Sequence, residues 1–316
     1  MIMLLSIGVF ALSLSLLPFL ILGVISSLKA RWQNRRGPSV LQPFRYIKKL
    51  FCKQDLRSKE ASWISDLAPP MILASALLLA IFTPWLSFSP VLQGSDLFLV
   101  VYLFGLSRFF TILAALDSGS PLTGFGASRE ATLSILTEPA LVLSLLSLAI
   151  AAGSTDLNKV FAFSQTAGGG VLDVAIWSLA AATIFLTALI DLSRMPVDDP
   201  TTHLELTMVH EAMVIEFGGR RMAMILVAYA LRMVTLLGLA SQCAIHALIA
   251  IQPLQATQAA TVHILSILGI LAGAVAIALV ETFFVKLKWT RVPEFIAYAV
   301  TLSLLGCGAA LLGGGI

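Results

Sequence analysis

The stretch KARWQNRRGPSVLQPFRYIKKLF, Lys29 to Phe51, follows 28 residues that carry no charge, and seven of its own 23 residues are Lys or Arg. An apolar run of that length spans the roughly 30 Å of hydrocarbon in a bilayer. It must do so as a helix, because lipid offers no partner to unpaired backbone N–H and C=O groups. The run lacks a positive leading region, is longer than the apolar core of a signal peptide, and is followed at once by positive charge. It therefore reads as a retained membrane helix whose C-terminal end stays in the cytoplasm.

The remainder repeats this pattern. Of the 316 residues, 58% are hydrophobic and 12% charged, about half the charge of a soluble domain. Apolar runs fall at about 3–28, 67–89, 95–116, 131–152, 171–190, 222–250, 260–285 and 291–314. They predict an all-α polytopic membrane protein, residues 1–316 forming a single transmembrane domain with eight spans. The connections after the first, third, fifth and seventh runs hold ten, one, three and, counting Arg291 at the edge of the last run, three Lys or Arg, 17 of the 20 in the chain. The positive-inside rule places these odd connections, about 29–66, 117–130, 191–221 and 286–290, in the cytoplasm and both termini on the outer face. Topology thus accounts for the net charge of +3, which carries no sign of nucleic-acid binding. Cys52, Cys243 and Cys307 match neither iron–sulfur nor zinc spacing.

Three of these connections are chemically dense. In the first, Leu41, Phe44, Ile47, Leu50 and Phe51 recur at helical spacing with Arg45, Lys48, Lys49 and Lys53 between them. That pattern predicts an amphipathic cytoplasmic helix lying at the headgroup boundary, with Gly37-Pro38 turning the chain into it. In the second, LDSGSPLTGFGASREATLSILTEP (Leu116–Pro139), a Gly/Ser-rich turn leads to Arg129-Glu130 and then a helix bearing Glu138 about two turns into the apolar run. An unpartnered charge at that depth costs a few kcal/mol. Glu138 is thus either an ion-handling group or the partner of Arg108 or Arg232, which also fall inside apolar runs.

The third, DLSRMPVDDPTTHLELTMVHEAMVIEFGGRR (Asp191–Arg221), packs six acids, two His and three Arg into about 30 residues. The part after Thr201 predicts a helix ending at Gly218-Gly219. Seven residues of helix hold His203 and His210 about 10 Å apart, too far for one metal ion. The stretch reads as a docking surface. Asp96 and Asp173 sit at outer helix ends. Glu281, five residues before Lys286, is either a snorkelling helix end or part of a proton path.

On these motifs the chain resembles the H-subunit family of complex I. That family includes subunit 1 of mitochondrial NADH dehydrogenase and the membrane subunits of energy-converting nickel–iron hydrogenases. QNRRGP followed by LQPFRYIKKLFCKQD, then GASREATLSILTEP, then RMPVDDPTTHLEL…EFGG are similar to the family's three loops, in order. The short first loop, and Thr201 and His203 where complex I members carry acids, resemble the formate hydrogenlyase subunit 4 and hydrogenase-4 branch.

The resemblance implies a non-catalytic membrane anchor of a redox complex in the inner membrane, with no cofactor of its own. Its cytoplasmic loops would seat an iron–sulfur small subunit and a large catalytic subunit with the nickel–iron site. Antiporter-like membrane subunits and phospholipid would surround it. Glu130, Glu138, Glu205, Glu211, Glu216 and Glu281 become the expected ion-coupling acids, with Arg108, Arg129 and Arg232 as charge partners. Arg35, Arg36, Lys49, Arg194 and Asp198 become expected docking or loop-ordering residues. The alternatives are the quinone-site subunit of a respiratory complex I and a stand-alone secondary transporter. The halves of the chain show neither the repeat nor the paired broken helices of many such transporters.

Overall fold

The computed structural model describes residues 2–55, 61–87, 94–166, 170–198, 209–251 and 259–313. The chain opens with α1 (Ile2–Trp32) and a short α2 (Gln42–Cys52), then α3 (Ile64–Phe82), α4 (Leu97–Asp117) and α5 (Pro121–Ala152). A small α6 (Leu157–Thr166) precedes α7 (Val171–Asp191) and a five-residue α8 (His210–Val214). The chain closes with α9 (Gly219–Ile251), α10 (Ala259–Phe283) and α11 (Val292–Gly313). Among the described residues, eight helices are long and apolar enough to cross a membrane, and each corresponds to one of the expected runs.

The bundle is organised around α9. It packs against α1, α3, α7 and α10, and α2 and α6 also touch it. Its core residues Ala228, Met233, Leu239 and Cys243 are completely buried. The other helices close the bundle in pairs, α3 with α4, α4 with α5, and α5 and α7 with α11. In lipid this packing comes from close steric fit and polar contacts, since tails are as apolar as the side chains.

The four basic connections converge on one face. Asp117, ending α4, accepts hydrogen bonds from the backbone N–H of Ser62 and of Ser65 at 3.1 and 3.0 Å. Arg221 at the start of α9 reaches Asp55 at 2.8 Å and Asp66 at 3.2 Å. The N–H of Leu287, after α10, donates to the carbonyl of Pro196, after α7, at 2.9 Å. Gly219 has φ of +51°, and a Cβ there would come within 2.7 Å of the Gln54 carbonyl oxygen. Only glycine holds this corner where the first connection crosses the start of α9.

The structure corrects three boundaries. The Gly/Ser-rich segment expected as a loop to residue 130 is helical from Pro121, a residue suited to the first helical turn. Its small residues serve packing, since a Cβ on Gly126 would lie 2.9 Å from the Val209 carbonyl oxygen and 3.0 Å from Met213. That clearance lets α8 sit directly on α5. The second apolar run ends as helix at Phe82 rather than continuing to 89, and Trp85 folds back fully buried, donating its indole N–H to Ala80 at 2.8 Å. In the third connection the described helix is His210–Val214, and Gly219 opens a new helix instead of ending a long one; residues 199–208 lie outside the described residues. In addition, α6 forms in the connection between the fourth and fifth spans. A helix does stand at the amphipathic stretch of the first connection, with Leu50 buried and Phe44 edge-on to Phe19 at 5.0 Å.

Gly126→Val is expected to destabilise the protein by about 1–3 kcal/mol through overpacking. Gly124→Ala, whose Cβ meets nothing within 4 Å, should be neutral. Thermal unfolding of the two variants in the same detergent measures the contrast.

Candidate functional site: a buried ion network

Two lone arginines in apolar runs demand a carboxylate, and the structure supplies one from the end of α7. Asp191 accepts from Arg108 Nε at 2.7 Å, with Arg108 Nη2 also against it, and from Arg232 Nη2 at 2.6 and 2.7 Å. All three side chains are more than nine-tenths buried. An aspartate at a helix C-terminus opposes the helix dipole, so the two guanidinium groups hold it there against both the dipole and desolvation. Two positive charges on one carboxylate leave a surplus. Glu138, expected to be the buried partner, answers it only from the rim, at 3.3 Å from Arg108 with its side chain 47% exposed. Its carboxylate therefore lies on the outer wall of the bundle, on the α5 side.

Glu130 is buried one face of α5 away, within electrostatic reach of Arg108, Arg232, Asp191 and Asp198. Through Asp198 it reaches the loop after α7, beside which a second cluster stands nearer the basic face. There, Glu281 is buried and bridges Arg194 at 2.8 Å and Lys29 at 3.3 Å. Its partners are thus on α1 and beyond α7, and Lys286, the nearby lysine, pairs with Asp198. Arg194 Nε donates to the Tyr229 hydroxyl at 2.8 Å, which donates onward to the Leu192 carbonyl at 3.0 Å. Burial lowers the basicity of Arg194, but Tyr229 and Glu281 raise it, and the balance lies above its ordinary value. Asp198 also accepts the N–H of Val209 at 3.1 Å, fastening the far end of the loop to its start.

Between these groups is a cavity of ≈ 150 Å³ lined by Ser193, Arg194, Asp198, His210, Glu211 and Tyr229, with Leu192 and Leu226. It is roomy and polar enough for water. The buried Ser193 hydroxyl lines it with no partner among the described residues, and Ser193 adopts a left-handed φ of +47°. His210 stacks beside Tyr229 with ring centroids 5.4 Å apart. Burial, reinforced by Arg232 and opposed by Asp191, pushes its pKa down to about 4, so the ring is neutral at pH 7.

The expected site residues therefore divide. Arg108, Glu130, Glu138, Arg232, Arg194, Asp198, Glu211 and Glu281 are drawn into or onto this network. Arg194 and Asp198, expected to dock partners or order the loop, are buried and fasten the loop internally. Arg129 lies over the rings of Phe125 and Trp289, 5.9 and 5.7 Å from their centroids. Glu216 is exposed beyond α8, and Arg35, Arg36 and Lys49 are exposed on the basic face. Glu205 lies outside the described residues. Sequence reasoning missed Asp191, Tyr229, Ser193 and Lys29 as members. Asp191 stood one residue past an apolar run and so looked like a loop acid. The unpaired Arg108 and Arg232 were the signal for it.

Comparison with known proteins gives the family of the chain. The profile of the NADH dehydrogenase family matches residues 4–309, almost the whole chain. The chain belongs to the NADH dehydrogenase family. Within it, hydrogenase-4 component C of Escherichia coli (strain K12) is 37% identical over 215 residues, 68% of this chain and 66% of that protein. Formate hydrogenlyase subunit 4 of the same organism is 41% identical over 142 residues, 45% of this chain and 46% of its own. The H subunit of the NADH-quinone oxidoreductase from Rubrobacter xylanophilus is 29% identical over 200 residues, 61% of this chain and 58% of its own. The matched stretches thus cover just under two thirds, or about half, of these NADH dehydrogenase relatives. The fold also matches a chain of the membrane-bound sulfane sulfur reductase, an archaeal respiratory membrane complex, with TM-score 0.76 and 20% identity over 98% of this chain and 100% of that one.

Asp191→Asn should cost about 3–5 kcal/mol, because it leaves two guanidinium groups buried without their counter-charge. Glu138→Gln, changed at the half-exposed rim, should cost far less. Yield and melting temperature of the two purified variants compare them. For His210, the unfolded ring titrates near 6.5 and the folded ring near 4. The unfolded state therefore binds more protons in that window, and stability is lost as pH falls from about 6.5 towards 4. His210→Gln should show a smaller drop in melting temperature between pH 7.5 and 5; an equal drop in both proteins refutes the assignment.

Proposed function

We propose that this chain is the membrane anchor and ion-coupling subunit of an energy-converting hydrogenase or formate hydrogenlyase-type complex. Relatives at 37 and 41% identity are components of hydrogenase-4 and formate hydrogenlyase, and membership of the NADH dehydrogenase family supports a place in a redox assembly. The observation that carries the reading is the chain of charges itself. It runs from a polar cavity under the third connection, where Arg194 holds Glu281 and Asp198 lines the wall, from Asp198 to Glu130, on to Asp191 and its two arginines, and out to Glu138.

On this reading the exposed basic groups Arg35, Arg36 and Lys49 orient docking of the iron–sulfur and large catalytic subunits by charge complementarity. The clusters and the nickel–iron site belong to those partners, and the basic face is cytoplasmic. Electron transfer in the docked subunits changes the charge near the cavity, and protonation of the buried acids passes the change along the network. Desolvation and neighbouring arginines are the means by which a carboxyl group is held close to switching. Glu138 faces an antiporter-like neighbour, because a carboxylate half-exposed at membrane depth is costly against lipid.

A mild-detergent pull-down of the chain, assayed for nickel, flavin and hydrogen evolution, tests the assignment. Nickel with hydrogen evolution is expected. Flavin with quinone reduction and no nickel would move the chain to a respiratory complex I, and recovery of the chain alone would reopen the transporter reading. In the assembled complex, Glu138→Gln should leave subunit composition intact and weaken ion pumping in vesicles.

A further inference from the structure

The cavity under the third connection holds two polar groups that the ion pairs around it leave unused. Ser193 is 3% exposed, and its hydroxyl faces the cavity with no partner among the described residues. His210 lines the same cavity, and its ring nitrogens have no hydrogen-bond partner among the described residues. The Tyr229 hydroxyl is already committed, accepting from Arg194 and donating to the Leu192 carbonyl. A space of ≈ 150 Å³ takes several waters, each of which needs two to four polar partners. The wall's two carboxylates, Asp198 and Glu211, stand with Arg194 in the same wall and with Lys286 on Asp198. Their charges balance, so the cavity suits water and offers a sodium ion no surplus of negative charge.

The backbone beside His210 reaches the ion network. A Cβ on Gly126 would lie 2.9 Å from the Val209 carbonyl oxygen, and Val209 shares an apolar cluster with Leu133. Gly126, Glu130 and Leu133 fall on one face of α5 by helical spacing, so Glu130 stands on the face that α8 covers. Its carboxyl accepts no hydrogen bond among the described residues. Arg232, one turn along α9 from the Tyr229 ring that His210 stacks beside, is within electrostatic reach of both His210 and Glu130. Its buried Nε–H has no partner among the described residues. Buried polar groups are rarely left unserved, and one water satisfies this N–H and the Glu130 carboxyl together. Burial and Arg232 keep the His210 ring neutral at pH 7. A neutral imidazole has one bare nitrogen and one N–H, so it accepts a proton on one side and releases one from the other.

We propose, resting on the ion-coupling reading of this chain, that His210 is the proton relay between the water of this cavity and Glu130. The ion taken up at the basic face is then the proton. A proton from hydronium in the cavity bonds to the bare ring nitrogen as the N–H on the other side breaks. The released proton passes through the water at Arg232 Nε to the Glu130 carboxylate, and the ring returns to its first tautomer before the next transfer. Ser193 anchors the cavity water that hands the proton over.

The test uses the assembled complex in sealed vesicles, with ions moved per electron and subunit composition as readouts. In His210→Ala the ratio should fall about tenfold or more, the range of a lost proton-transfer group, with composition intact. Added imidazole should restore it, because it fits the space left beside the cavity and both accepts and donates a proton. Pyrazole has the same shape but is a far weaker base, and it should not restore the ratio. His210→Gln, which keeps bulk and hydrogen bonding without basicity, should lose the ratio as His210→Ala does and decides the matter if the alanine variant fails to assemble. A full ratio in either assembled variant would overturn the relay, as would equal rescue by pyrazole, which marks a space-filling role. Glu130→Gln is measured beside them. If it loses the ratio while the His210 variants keep it, the relay alone fails; if it also keeps the ratio, the ion-coupling reading fails with it.

Discussion

One carboxylate shared by two buried arginines is the constraint on which the rest of this molecule depends. Asp191 draws Arg108 of α4 and Arg232 of α9 onto the end of α7, so three helices distant in sequence must meet at one depth. Hydrocarbon tolerates no loose charge there, and that fixes register as much as energy. A helix rotated or slid by one residue would leave a guanidinium group unpaired in lipid. The apolar packing around α9 is permissive by comparison, since Leu, Ala and Val can be exchanged at similar volume for a modest cost.

The same constraint leaves the cluster with a surplus of positive charge. Because two cations share one anion, the cluster remains sensitive to any further negative charge, and Glu130 and Glu138 are the groups within reach to supply it. Glu281 repeats the pattern in miniature with Arg194 and Lys29. Each cluster thus pairs an excess of positive charge with acids, and the polar cavity beneath the third connection opens beside the second. Small residues bring the parts together: Gly126 admits α8 onto α5, which sets His210 and Glu211 at the cavity wall.

The fold was legible wherever it depends on length and polarity. Runs of about twenty apolar residues and the alternation of Lys and Arg between connections are local signals, and the helices appear where they predict. The misreadings share a cause. Glycine and serine at 119–128 look like a turn because composition does not distinguish flexibility from close packing, and the contact that decides is with Val209, far along the chain. Asp191 was hidden for a similar reason. Its partners lie 83 and 41 residues away, and no periodicity reports a pairing at such distance. Glu138 stands out in the sequence as an unusual acid, but its exposure depends on which face of α5 meets the bundle. The Arg194, Tyr229 and His210 side of the cavity was likewise invisible, because it forms only when α8, α9 and the end of α7 converge.

The central claim is that redox work and ion movement communicate through the buried acids, with Glu130 standing between Asp198 at the cavity and the Asp191 cluster. Its most direct test is the number of ions moved per electron by the assembled complex in sealed vesicles carrying Glu130→Gln. The account predicts that electron transfer and subunit composition persist while ion movement falls to background. An unchanged ratio of ions to electrons in the fully assembled variant would contradict it.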